Sequence, residues 1–200
     1  MRNKFEAIVR LVKKITDFST REDFLKIFPK HSVGAEIGVF KGEFSVLIAQ
    51  IVQPKKLHLI DVWWKLFGEH YPDWGDYTDF GKLKTKDAFD NAKKLLAGFD
   101  GVSFHVDNSI DCLNSFENNY FDWVYLDSSH SYEDTHRELE VLRSKVKKDG
   151  LIAGHDWQPD PSHRHHGVFK AINEFMKKHN YELVKIDSHF QWCIRKAKND

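Results

Sequence analysis

The sequence predicts an α/β fold: a mostly parallel sheet with helices on both faces and one antiparallel strand. Three observations predict it. From Val33 onward, seven short strand-like runs alternate with segments of helical period. The first strand-like run passes into a helical one through a glycine turn, "VGAEIGVFKGEFSVLIAQIV" (33–52). The chain closes on two strand-like runs, "YELVKID" and "FQWCIRK", joined by a short turn near Ser188, which makes one of them antiparallel to the rest.

The elements follow in order. Phe5, Ile8, Val12 and Ile15 recur at helical spacing, so residues 3–18 read as an amphipathic helix. Thr20 is placed to cap a second, short helix that ends before Pro29. "VGAEIG" reads as a strand and "KGEFSVLIAQIV" as a helix. "KLHLIDVW" (56–63) is a strand, "KDAFDNAKKLLAGF" (86–99) a helix and "GVSFHVD" (101–107) a strand. "SIDCLNSF" is a short helix and "FDWVYLD" (121–127) a strand. "SYEDTHRELEVLRSKVKK" is a helix that Gly150 is expected to end. "LIAGHD" is a strand and "GVFKAINEFMKKH" a helix. Two long stretches lack a period: the aromatic Trp63–Lys86 and the polar Trp157–His166. Each follows the carboxyl end of a strand, where open α/β sheets bind ligands. The organisation expected is a helical extension over 1–30 and one α/β domain over 31–200.

Composition narrows the function. Thirty basic and thirty acidic residues cancel, which speaks against a sequence-blind nucleic-acid binder. No apolar run approaches the roughly 18 residues of a membrane span, and the charged N-terminus has no signal-peptide core. Cys112 and Cys193 form no CxxC motif. A cytoplasmic location with reduced thiols is expected. The anticipated partner is a small-molecule acceptor, with a homo-oligomer left open.

The glycine turn reads Glu36-x-Gly38-x-x-x-Gly42, so the middle glycine of a dinucleotide fingerprint is missing. An acid at the strand end suits a cation or a hydroxyl donor better than a phosphate. Asp61, about 20 residues on at the end of the second strand, is placed to accept from ribose hydroxyls. A ligand with a ribose, a positive charge and no phosphate fits both, as S-adenosyl-L-methionine does. By itself the turn could equally be a plain turn with a solvated acid.

"AEIGVFKGEFS", "LHLIDVW", "VYLDSSHSYEDTHREL", "DGLIAGHDW" and "GVFKAINEF" together resemble the successive motifs of class I S-adenosylmethionine-dependent methyltransferases. The likeness is greatest to the small-molecule O-methyltransferase branch, with its "LDxxHSYE…GHDW" pattern, and it spans roughly Val33–Arg195. It implies a Rossmann-like class I methyltransferase fold with a seven-stranded sheet and S-adenosyl-L-methionine as cofactor. It assigns Glu36, Gly38, Gly42 and Ser45 to the cofactor loop, Asp61 to the ribose, and Asp107, Asn108 and Ser109 to the adenine side. Related metal-dependent enzymes carry three ligands at positions matching Asp127, His155 and Asp156. A divalent metal ion is therefore left open, with His155 standing where those enzymes have an acid. Residues 1–30 match no motif of the family, and they could cap the site or pair subunits.

Methyl transfer to a hydroxyl needs an aligned, electron-rich oxygen. A metal or a base must supply that state. Asp127, His130 and His155 are the candidates for this chemistry. The plainer alternative is that Asp127 and Asp156 cap helices or turns and that His130 satisfies backbone groups. The run His163–His166 has the residue types of a metal site, but adjacent histidines in an exposed loop are expected to be solvated. The aromatic loop is expected to cover the adenine or line an acceptor pocket. Two rival readings are a nicotinamide-dependent oxidoreductase and a non-catalytic binding module on the same fold.

Overall fold

The computed structural model describes residues 20–198. The helix expected over 3–18 lies outside them. The first described helix, α1 (Arg21–Leu25), begins where Thr20 predicts: the Asp23 carboxylate accepts the Thr20 backbone N–H at 3.0 Å, closing the first turn. Phe24 and Leu25 of α1, and Phe28 just beyond it, are buried among residues of the main body.

Seven strands form one sheet in the order β3-β2-β1-β4-β5-β7-β6. They are β1 (Val33–Ile37), β2 (Lys56–Asp61), β3 (Val102–Val106), β4 (Phe121–Leu126), β5 (Val146–Gly154), β6 (Tyr181–Ile186) and β7 (Trp192–Lys196). β1 pairs in parallel with both β2 and β4, which places the carboxyl ends of those three strands side by side. β7 runs antiparallel to its neighbours and inserts between β5 and β6. The remaining helices are α2 (Glu43–Val52), α3 (Trp64–Phe67), α4 (Thr85–Leu96), α5 (Ser109–Asn114), α6 (Tyr132–Lys145) and α7 (His166–His179).

Alternation along β4 explains the two-sided core. Trp123 and Tyr125 point to the face covered by α1, α2 and α4, while Val124 and Leu126 point to the face covered by α6 and α7. One boundary differs from the sequence reading. The helix expected to run to Lys148 stops at Lys145, and Val146 already pairs with Phe121. The register then slips before Leu151 meets Trp123, so the polar Lys147–Asp149 segment is accommodated as an irregularity within β5, and Gly150 ends no helix.

A pair of histidines, His58 buried and His105 half-buried, sits where β2 and β3 run side by side. His58 Nδ1 lies 2.9 Å from His105 Nε2, and His58 Nε2 lies 3.2 Å from the Tyr120 hydroxyl, with Phe116 and Phe121 packed on the ring. Burial lowers the His58 pKa to about 4, helped by the positive potential of His105 and Lys56. The unfolded chain therefore binds the proton more readily. The stability that His58 contributes is present above pH ~6.5 and is lost as pH falls from there through about 4. Replacing His58 with Gln should flatten the acid limb of a urea-denaturation pH series by about 2–3 kcal/mol between pH 7 and pH 4. An unchanged acid limb would show that the pair carries no such linkage.

Candidate active site

β1 ends at Ile37, and the chain turns through Gly38 at φ +88°, whose N–H donates to the Ile60 carbonyl at 2.9 Å. A Cβ on Gly38 would stand 2.0 Å from the Asp127 carbonyl oxygen. The contact between the ends of β1 and β4 thus already demands glycine here. Gly42, at φ +83°, opens α2, and a Cβ there would stand 2.8 Å from Ala92, so it also lets α2 meet α4. Glu36 is buried, with its carboxyl accepting the Ser45 hydroxyl, and burial pushes its pKa up to about 8. Its bond to Ser45 ties β1 to the first turns of α2.

Asp61 organises the turn. One carboxylate oxygen accepts the N–H groups of Val39 and Phe40, each at 2.8 Å, and the other accepts that of Trp63 at 3.1 Å. The Trp63 indole N–H returns to the Phe40 carbonyl at 3.0 Å. The acid that the sequence places for a ribose is therefore also the acceptor that shapes the glycine turn. The Tyr71 hydroxyl is buried with no hydrogen-bond partner among the described residues, and the charge of Asp61 acts on it. Asp107 follows β3, donates its N–H to the Asp61 carbonyl at 3.0 Å and pairs with Lys65. Asn108 caps α5 by accepting the Asp111 N–H at 2.9 Å. Ser109 is the first residue of α5, and the Ser128 hydroxyl donates to the Glu138 carboxylate of α6 at 2.8 Å. Asp61, Asp107 and the start of α5 thus share the carboxyl edge of β2 and β3.

The second group lies at the ends of β4 and β5. Asp127, His155 and Asp156 each bring one oxygen or nitrogen atom to within 4.8 Å of the others. Asp156, which is 7% exposed and at φ +63°, is the centre. His130 Nδ1 stands 2.9 Å from one of its oxygens and His155 Nδ1 3.3 Å from the same one, while His165 Nδ1 stands 2.7 Å from the other. Burial works against the Asp156 charge, but the bonds from the three imidazoles outweigh it and hold the pKa well below the usual carboxylate range. Asp127 is paired with Arg21 of α1 at 3.2 Å, and the Arg21 guanidinium lies 4.2 Å over the Phe44 ring.

Arg21 and His165 are not among the site residues that the sequence reading assigns. Nothing near Arg21 marks it except the Thr20 cap. His165 belongs to the run expected to be solvated. Its neighbours His163 and Arg164 are exposed, but His165 itself turns inward onto Asp156. The aromatic loop is less irregular than its sequence suggests. It holds α3, a 3-10 turn over Gly75–Thr78 and a bridge between His70 and Lys84. Trp63 and Tyr71 are buried, whereas Trp64, Trp74, Tyr77 and Phe80 are exposed. Tyr77 stacks on Phe40 of the glycine turn at 4.7 Å, so the loop leans over the cofactor-loop side. A groove of about 400 Å³ lined by Gln53, Leu57, Phe99 and Val102 lies at the opposite, amino ends of the strands.

Comparison with known proteins agrees with this frame. The profile of a family described as "Methyltransferase domain" matches residues 35–157. No curated protein matches the chain in sequence. Among solved structures, a protein of Corynebacterium glutamicum superposes with a TM-score of 0.63 at 12% identity, covering 90% of this chain and 81% of that one. A candidate rRNA methylase of Clostridium thermocellum gives 0.60 at 15%, covering 90% and 94%. A candidate S-adenosyl-L-methionine-dependent methyltransferase of Methanococcus maripaludis gives 0.54 at 14%, covering 90% and 84%. The chain belongs to the methyltransferase domain family. It is an S-adenosyl-L-methionine-dependent methyltransferase built on a Rossmann-like sheet.

Proposed function

We propose that the chain methylates a hydroxyl group of a small molecule held over the ends of β4 and β5, with a divalent ion assisting at Asp127, His155 and Asp156. The observation that carries this reading is the convergence of those three side chains beside the glycine turn. S-adenosyl-L-methionine supplies an electrophilic methyl group on a sulfonium. The residues present fit it: Asp61 at the end of β2, the Tyr71 hydroxyl beside it, unpartnered among the described residues, and the Asp107–Ser109 segment next along the edge. Asp61 would hold the ribose and Asp107–Ser109 the adenine side. Gly38 and Gly42 give the turn its shape, and Glu36 with Ser45 anchors it.

A hydroxyl is a poor nucleophile until its proton is weakened or removed. An ion at Asp127, His155 and Asp156 would lower the pKa of a bound hydroxyl. A second reading rests on His130. A carboxylate only accepts, so His130 Nδ1 carries the proton toward Asp156, and its Nε2 is left to take one from the acceptor. The exposed Trp74 and Tyr77 offer flat faces suited to a sugar or a ring.

Chelation separates the two. With S-adenosyl-L-methionine and a panel of sugar and phenolic hydroxyl acceptors, stripping divalent ions should abolish methyl transfer while leaving S-adenosylhomocysteine affinity within about threefold. Turnover that survives chelation and falls as pH drops through a range above about 6.5 would favour His130 as base instead, because burial lowers its pKa but the bond to Asp156 outweighs that and raises it. Methylation confined to an amine or a nucleic-acid substrate would overturn the proposal.

A further inference from the structure

We infer that His130, Asp156 and His165 form a second ion site, one that takes an imidazole-preferring divalent metal of the zinc class. It shares Asp156 with the metal-assisted form of the preceding reading and His130 with its histidine-base form, and rests on neither. Two imidazole Nδ1 atoms face opposite oxygens of one carboxylate, at 2.9 and 2.7 Å, and the three ligand atoms lie within 4.8 Å of one another. The two rings lie nearly parallel with centroids 4.6 Å apart, so their nitrogens present one converging edge. Imidazole nitrogen with a single carboxylate suits zinc, cobalt or nickel ions, whereas magnesium prefers an all-oxygen shell. The Asp127, His155 and Asp156 group is richer in oxygen, so the two differ in the ion they prefer.

The scaffold holds these ligands in place without the ion. His130 lies just before α6 and His165 is the cap residue of α7. Those two helix starts are in contact: a Cβ on Gly167 would stand 2.7 Å from the Tyr132 backbone nitrogen. His130 at φ +58° and Asp156 at φ +63° both keep a left-handed backbone that non-glycine residues seldom adopt, and in these conformations their side chains meet. His165 makes no side-chain cap to α7, so nothing in the helix requires a histidine there. On binding, each Nδ1 would give up its proton to coordinate the metal. A neutral ring carries that proton on Nε2 instead, which leaves Asp156 as the only anion of the set. The ion would tie the 157–165 loop to the turn after β4.

The test titrates zinc chloride into the chelator-treated full chain by calorimetry and reads visible absorption after cobalt substitution. One tight zinc equivalent is expected, with a cobalt spectrum of nitrogen and oxygen ligation. His165→Ala and His130→Ala should each weaken zinc by about 100-fold or more, beyond the 10–100-fold typical of changes around a metal's direct ligands. Arg164→Ala, on the exposed part of the same loop, should not. Should either histidine variant lose its fold by circular dichroism, His165→Gln provides the same measurement with the side chain's bulk retained. Zinc affinity lost in Asp127→Asn but kept in His165→Ala would place the zinc in the other group, overturning this inference while leaving the proposed activity standing. Absence of zinc binding at micromolar concentration would overturn it as well. Conversely, zinc held through His165 by a chain that methylates without any metal would uphold the site and reject metal assistance.

Discussion

Asp61→Ala should lower thermal stability and cofactor affinity together, each by a large margin. Its carboxylate is the acceptor for three backbone N–H groups, those of Val39, Phe40 and Trp63. Hydrogen bonds to a charged group are worth roughly 1.5–3 kcal/mol each, and they are not additive when they share one acceptor. A loss of about 3 kcal/mol is expected, which for a chain of this size lowers Tm by roughly 6–12 °C. S-adenosylhomocysteine affinity should fall at least about 100-fold, because the turn between β1 and α2 loses its shape and the ribose loses its acceptor. Asp61→Asn separates these two roles. The amide oxygen keeps two lone pairs for Val39 and Phe40, so Tm should drop by less than half as much. Its affinity should still fall clearly if the acid holds the ribose. Calorimetry giving wild-type affinity for Asp61→Asn would remove Asp61 from the cofactor site and leave it only the shaping of the turn. Gly38→Val is a poorer probe than Asp61. A valine there collides with the Asp127 backbone in the absence of any ligand, so lost binding would report packing.

The fold was legible because it is written in short-range periodicity. Strands buried on both faces read as apolar runs, and their alternation with amphipathic helices leaves few arrangements. The boundary at Lys145 was not legible, since "SKVKKDG" keeps a helical composition and only the pairing of Val146 with Phe121 pulls it into the sheet. The convergence of Asp127, His155 and Asp156 was legible because each follows within two residues of a strand end, and the ends of neighbouring strands meet. Arg21 and His165 were not, because they arrive from segments whose course depends on tertiary packing. Arg21 reaches Asp127 only because Phe24 and Leu25 bury α1 against the sheet. His165 turns inward only because the starts of α6 and α7 touch at Gly167. The extension drawn over 1–30 was set apart by the lack of family motifs, but motif matching does not register packing, and its Phe24, Leu25 and Phe28 belong to the core of the sheet's α2 face.

The largest expected loss of activity falls on Asp156. Its carboxylate accepts from three imidazoles and lies within 4.8 Å of the Asp127 carboxylate, so both readings of the chemistry pass through it. An assisting ion would lose a ligand without it. A histidine base would lose the partner that fixes its tautomer and orientation. Asp156→Asn preserves the volume, but its amide has one oxygen and two donors where the carboxylate has two acceptors. At least one of His130, His155 and His165 must then turn its lone pair inward. Methyl transfer should fall by roughly 10²–10⁴, the range that acid–base assistance commonly supplies. S-adenosylhomocysteine binding should stay within about threefold, because Asp61 and Asp107 follow β2 and β3, on the far side of β1 from β4 and β5. Stability adds a separate signature. The depressed Asp156 pKa means that its stabilising contribution is present above the unfolded value near pH ~4 and is lost as pH falls below it. The wild-type chain should therefore lose more stability than Asp156→Asn on acidification below that point. Single-turnover kinetics and calorimetry on the Asn variant decide the matter: a folded variant that binds cofactor normally and still transfers the methyl group within threefold of wild type would take the chemistry away from the ends of β4 and β5.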